Sequence, residues 1–317
     1  MRWRIPVSPF RLSRVLSPLF CAALLALTAT SCIKKAALDA HIANVRRGGD
    51  AMGTLHDYEV AKAAALGGLA QLEGVHQLAP HNADATFMLC RGWVGVTLAF
   101  YQDDYERALL EDDEEGIAYH DLRTQAGFKR ARHFGITTIN LISEGFEDNL
   151  ASSDTLRKWL VETFTDDTYA EELTWLGFSW VTYAGSSRHD PETVSSLWVG
   201  LEILQRAVEL DETVANAAAS AVLAAYYSSQ STDAADPHFD RAKRVASDKY
   251  LPLHLARATQ YFCAKHDLAN FKKELQFIVD AGDDMPEVRF LGLYAKRRAV
   301  RYLKHYETLF DHCSFQN

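Results

Sequence analysis

The sequence predicts an all-α protein in which antiparallel helix pairs stack as an α-solenoid of about 11–12 helices. Three observations carry this expectation. Apolar residues recur at steps of three and four, the period of an amphipathic helix. Asp-Pro pairs and short polar clusters punctuate that pattern where helices would start. Long alternating runs of β-branched residues, which strands would need, are missing. With 48% hydrophobic residues the chain can bury a core, and with 8 Pro and 17 Gly it lacks the turn density of an all-β protein.

The first element is not helix of the mature fold but an export signal. Arg2, Arg4, Arg11 and Arg14 precede an apolar run over 15–29, shorter than a bilayer span. The run ends in Ala29-Thr30-Ser31-Cys32, which resembles a bacterial lipobox with Cys32 as the lipidated mature N-terminus. An ordinary cleaved signal with an incidental Cys32 thiol is the alternative. Ile33 rather than Asp after the cysteine resembles outer-membrane lipoproteins of Gram-negative bacteria. Losing residues 1–31 removes four arginines and no acid, so the formal net charge falls from −9 to −13. An acidic chain lacks the basic footprint that nucleic acid requires, and its membrane contact would run through the anchor alone.

Residues 32–52 then read as a tether and a first helix, and 53–317 as a single helical-repeat domain. The helices expected in order are 36–50, 56–78, 83–110, 114–145, 153–163, 167–185, 191–209, 212–230, 237–247, 251–264, 267–281 and 286–312. Leu72, Val75 and Leu78 mark the second. Tyr169, Leu173, Leu176 and Trp180 mark the sixth, and Leu197, Leu201, Leu204 and Val208 the seventh. Asp190-Pro191 and Asp236-Pro237 each supply an N-cap and a first-turn proline. Asp154 and Asp166 sit at other starts, and Pro286 opens the last pattern. Residues 204–227, an Ala-Val-Glu-Leu-Asp helix end followed by a small-residue helix and a Tyr pair, resemble a tetratricopeptide junction; residues 69–93 echo it. Any antiparallel pair with an Asp-x-x turn would share that look.

Chemistry is sparse. No Gly-rich phosphate loop, HExxH or GxSxG occurs, so no catalytic residue, cofactor or metal site is assigned. Cys90, Cys263 and Cys313 fit no zinc spacing, and Cys90 and Cys263 read as small buried thiols. The acidic run Asp103-Asp104-Tyr105-Glu106 through Glu111–Glu115 reads as a solvated inter-helix turn or a face for a basic partner; a Mg²⁺ or Ca²⁺ site is the alternative. The aromatics carry more. Trp93 and Phe100 share one helix, and Trp175, Phe178, Trp180 and Tyr183 crowd another over most of its circumference. Such a helix is sandwiched in the core, or its rings line an apolar channel for a hydrophobic ligand.

As a whole the mature chain resembles the T component (TatT) of tripartite ATP-independent periplasmic (TRAP) transporters. The resemblance is carried in order by Ser31-Cys32, by Leu72-Glu73 with Ala79-Pro80-His81-Asn82, and by Phe128-Lys129-Arg130-Ala131-Arg132-His133-Phe134-Gly135. It continues through Glu172-Leu173-Thr174-Trp175 with Trp180, Leu204 to Asp211, Phe271 with Leu275, and Pro286 to Phe290 with Arg298-Ala299. It departs at Gly292-Leu293, where the family has Asn, and after Asp211, where Pro is missing. The resemblance implies a non-enzymatic periplasmic lipoprotein that forms homotrimers and docks a solute-binding P component. It further implies passage of a hydrophobic or carboxylate-bearing small molecule through an apolar pore. Trp93, Phe100, Trp175, Phe178, Trp180 and Tyr183 are the expected lining. A helical-repeat scaffold that organises an envelope complex without a ligand is the rival reading.

Overall fold

The computed structural model describes residues 33–312, so the signal segment and Cys32 lie outside the described residues. The chain divides into two units, Met1–Val45 and Arg46–Asn317. Helix α1 covers 33–48; within the first unit it carries a Lys35–Asp39 ion pair at 2.7 Å. The second unit opens on a 3-10 turn, Gly49–Thr54, and continues with α2 (Tyr58–Leu78), α3 (Ala83–Val96), α4 (Gln102–Leu110) and α5 (Glu114–Ile142). Then follow α6 (Ser153–Thr163), α7 (Ala170–Ser186), α8 (Pro191–Ser195), α9 (Leu197–Leu210), α10 (Val214–Gln230) and α11 (Thr232–Val245). The last are α12 (Leu251–Ala256), α13 (Leu268–Asp280), α14 (Arg289–Lys304) and α15 (Tyr306–His312). Among the described residues there is no strand, and no helix is long and apolar enough to cross a membrane.

Local chemistry explains most boundaries. Asp57, Asn82 and Asp113 each accept a backbone N–H of the first turn of α2, α3 and α5. Ser152 and Thr155 form a capping box on α6, so Ser152 and not Asp154 starts that helix. Asp190 caps α8 with Pro191 behind it, as the sequence predicts. The helix expected over 191–209 breaks at Ser196, whose carbonyl accepts the Trp180 indole N–H at 2.9 Å. Asp236-Pro237 does not start a helix. The apolar stripe Ala235, Phe239 and Ala242 already begins before it, so α11 starts at Thr232 and carries Pro237 inside. The single helix expected over 286–312 divides at His305.

Two helices contain π turns. Thr97–Tyr101 joins α3 to α4, and Arg257–Phe262 follows α12. A π turn frees carbonyls from the helical ladder. At the first, Leu98 O accepts from Arg298 at 3.0 Å and Ala99 O from the Tyr58 hydroxyl at 2.8 Å.

Helices near in sequence pack in succession: α2 on α3, α3 on α5, α5 on α7, α7 on α9, α9 on α10 and α10 on α11. Short connections make such neighbours antiparallel. Helix α14, late in the chain, comes back to α2 and to the 3-10 turn. The tightest crossing is α7 over α9. A Cβ added at Gly177 would lie 2.6 Å from Leu204 Cγ, and one at Gly200 3.0 Å from Trp180 Cβ. Only glycine lets the two backbones approach this far. The main core lies here, around Leu173, Leu176, Ile203, Leu204 and Leu223. Cys90 is a buried thiol, pushed up to about 12 by burial and therefore inert at neutral pH. Cys263 is buried too, but it is disulfide-bonded rather than a free thiol, with its partner outside the described residues.

Candidate functional site

The aromatic helix α7 is sandwiched as its composition requires. It packs on α3 and α5 at one side and on α9 and α10 at the other. Five of the six expected lining residues divide between two cores. Trp93, Phe100 and Trp175 belong to the cluster of α2, α3 and α5. Phe178 and Trp180 belong to the cluster centred on α7 and α9. Trp175 and Phe178 join the two as a stacked pair, 5.8 Å between centroids at 17°.

Each ring then has its own setting. Phe100 is fully buried against Tyr58 and Phe290, at 5.5 and 5.8 Å. Trp93 is half-buried and donates its indole N–H to Glu73 at 2.8 Å; Arg130 ion-pairs with the same carboxylate and covers the Trp93 ring. Burial acts to raise the pKa of Glu73, and the hydrogen bonds from Arg130 and Trp93 outweigh it and hold the group ionised. The Trp175 indole N–H, by contrast, is buried and has no acceptor among the described residues, beneath the guanidinium of Arg91. Trp180 is buried and tied to Ser196. Tyr183 is 7% exposed and lies under Arg132 with Trp180.

Sequence reasoning missed these arginines. Arg46, Arg91, Arg130 and Arg132 each lay a guanidinium over a ring of the aromatic set or its neighbour Phe87. Arg46 also holds Asp84, Glu171 and Glu172 at 2.7–2.8 Å, which ties it to the first turns of α3 and α7. The only sequence signal was basic residues set inside otherwise apolar helices.

The acidic run divides in two. Glu111–Glu115 is exposed, as expected; its last two residues already belong to α5, which Asp113 caps. Asp103 and Glu106 are not solvated; they are 1% and 2% exposed. Arg301 holds both at 2.7 Å, Arg298 reaches Glu106 at 3.3 Å, and Arg297 donates to Asp103 at 3.1 Å. The Tyr302 hydroxyl adds a bond to Glu106 at 2.8 Å. The reason for the correction is tertiary. Asp103 and Glu106 share one face of α4, and the π turn before it aims that face at the arginines of α14. Every carboxylate oxygen facing inward meets a cation, which leaves no arrangement for a divalent ion. Among the described residues no group of His, Cys, Asp and Glu has metal-binding geometry.

One cavity of about 230 Å³ opens elsewhere, between the start of α12 and α14. His56, Tyr250, Leu251, Leu293 and Lys296 line it, and none of the six expected aromatic residues does.

What ties these features to a function is a comparison of the whole chain. A family model for the TRAP transporter T-component matches residues 55–310. The chain belongs to the TRAP transporter T-component family. No curated protein matches it. The match spans α2 through most of α15, so it takes in the aromatic sandwich and the α4–α14 ion lock of this T component alike. The family is an accessory component of a cell-envelope transporter, not a known enzyme family.

Proposed function

We propose that the protein is a periplasmic, lipid-anchored accessory subunit of a TRAP-type transporter. In this reading Cys32 carries the lipid, which holds the mature chain at the outer membrane of a Gram-negative cell. Residues 53–317 act as one helical-repeat domain, which trimerises, binds a solute-binding P protein and passes a hydrophobic or carboxylate-bearing small molecule. The rings of Trp93, Phe100, Trp175, Phe178, Trp180 and Tyr183 supply the apolar path. The observation that carries the reading is the family match over 55–310. The aromatic sandwich supports it in chemistry, because its rings run from one apolar cluster to the next through the stacked Trp175–Phe178 pair.

Native mass spectrometry of the mature protein, alone and with a candidate solute-binding P protein, tests the proposal. A trimer carrying a small molecule and binding that partner is expected. A strict monomer with neither would overturn it. The scaffold reading draws support from the full burial of Phe100, which leaves that ring no free face. Trp175→Ala separates the two: it should lower ligand occupancy and spare partner binding if a path exists, and change neither if the protein is only a scaffold.

A further inference from the structure

The chain has more acids than bases, 42 against 33, so carboxylates are not scarce. The arginines that are partly or fully buried use them. Arg46 has three, Arg91 two, and Arg123, Arg206, Arg257, Arg298 and Arg301 have one or two each. Arg132 is the exception. It projects from the middle of α5, half-buried, and among the described residues no carboxylate lies within 4.0 Å of it. Its guanidinium rests on two aromatic faces, 4.9 Å from the centroid of Trp180 and 4.3 Å from that of Tyr183. Burial holds its pKa below the ordinary value, and the more distant pull of Tyr183 and Asp190 does not restore it.

The nearest acid is committed elsewhere. Asp190 accepts the N–H groups of Glu192 and Thr193 and the Thr193 hydroxyl, the last at 2.6 Å, and so serves as the cap of α8. Tyr183 adds a second donor: the residue is 7% exposed, and among the described residues its hydroxyl makes no hydrogen bond. Arg132 and Tyr183 thus offer a planar guanidinium fork and a phenol, over a floor of aromatic carbon. They are donors without acceptors among the described residues.

We propose that Arg132 and the Tyr183 hydroxyl form the anchor for the carboxylate of a small molecule whose apolar body lies on the aromatic surface. A carboxylate fits because two parallel N–H groups of a guanidinium match its two oxygens. One fully charged fork, flanked by a phenol, suits a singly charged planar head. Partial burial of the guanidinium strengthens each charge-assisted bond. The proposal rests on the reading that the protein carries a small-molecule ligand, and it names which end of that ligand is held and by what.

The test is calorimetric titration of the purified full chain with 3-phenylpropanoate and with its neutral counterpart 3-phenylpropanol. The acid should bind at least about tenfold tighter than the alcohol, the order expected for a charge-assisted hydrogen-bonded pair. Arg132→Gln should bring the acid down to the level of the alcohol and leave the alcohol unchanged. Tyr183→Phe keeps the ring and should weaken the acid alone by a few-fold; it also serves if Arg132→Gln melts early. Equal binding of acid and alcohol by the native protein overturns the anchor while the apolar-ligand reading stands. Binding of neither probe also overturns it, and the ligand reading then rests on what native mass spectrometry finds bound. If Arg132→Gln loses only the solute-binding protein and keeps the acid, the arginine serves a protein partner and the anchor is wrong.

Discussion

Asp103 is the residue whose environment departs most from its surroundings in sequence. It sits in an acidic run yet is buried among three arginines of α14. Burial alone would raise its pKa; Arg301 first, then Arg298 and Arg297, outweigh that and lower it. A carboxyl depressed in the folded state stabilises the fold above the ordinary carboxylate range. That stabilisation is lost as pH falls through the lower folded value. Asp103→Asn should therefore destabilise the protein by about 3 kcal/mol at neutral pH, since it leaves buried guanidinium charge unmatched. It should also flatten the acid limb of the stability curve below the ordinary carboxylate range. Chemical denaturation of both proteins across pH 2–7 checks both effects; an unchanged acid limb would mean Asp103 is not ionised in the lock. Nothing in Asp103-Asp104-Tyr105-Glu106 announces this, because the neutralising residues lie about 200 positions away. The legible hint is on the other side: Arg298 and Arg301 interleave with Ala295, Ala299 and Tyr302 on a buried face.

Among the elements, period and caps made the helices readable, and the helix expected over 153–163 matches Ser153–Thr163. The π turns were not readable, because Thr97-Leu98-Ala99-Phe100 has ordinary helix composition and its departure is set by Arg298 and Tyr58 from outside. The aromatic set was readable as residues but not as a site. Ring content is the same for a core and for a lining, and the guanidiniums that cover Trp93, Trp175, Trp180 and Tyr183 come from other helices. Glycines provide an opposed pair of expectations. Gly177→Ala puts a Cβ into Leu204 and 3.0 Å from the Gly200 carbonyl, so overpacking of about 1–3 kcal/mol should exceed the helix-propensity gain. Gly67→Ala in α2 meets nothing within 4 Å and should stabilise by up to about 1 kcal/mol. Thermal melts moving in opposite directions support the close α7–α9 crossing. In α10, Ala215, Asn216 and Ala217 have φ of 49°, 57° and 62°, a left-handed turn that side chains resist. Ala215 is exposed, so Ala215→Gly should leave Tm unchanged or raise it. A normal helix position would lose about 1 kcal/mol, and such a loss would show that the turn is right-handed in solution.

At the scale of the molecule, the order of contacts has a mechanical consequence. In an open stack each helix pair feels only its neighbours, so damage at the last pair leaves the first intact. Here α14 reaches back to α2, and its arginines neutralise the buried acids of α4. Helix α14, late in the Arg46–Asn317 unit, is thus joined by charge to α4 in its early part. Arg301→Ala removes the one side chain that holds both Asp103 and Glu106 at 2.7 Å. Both carboxylates stay buried, and the cheapest relief is for α4 to open toward water. Amide hydrogen exchange should therefore speed up in α4 and the adjoining π turn, far along the chain from the substitution. The α6 and α9 helices, which touch neither end of the lock, should exchange as before. Faster exchange confined to α13 and α14 would instead describe an open stack with a frayed end. The choice matters for transport, since Phe100 belongs to the π turn that Arg298 and Tyr58 hold in place. A loosened lock would then free one of the rings on the proposed ligand path.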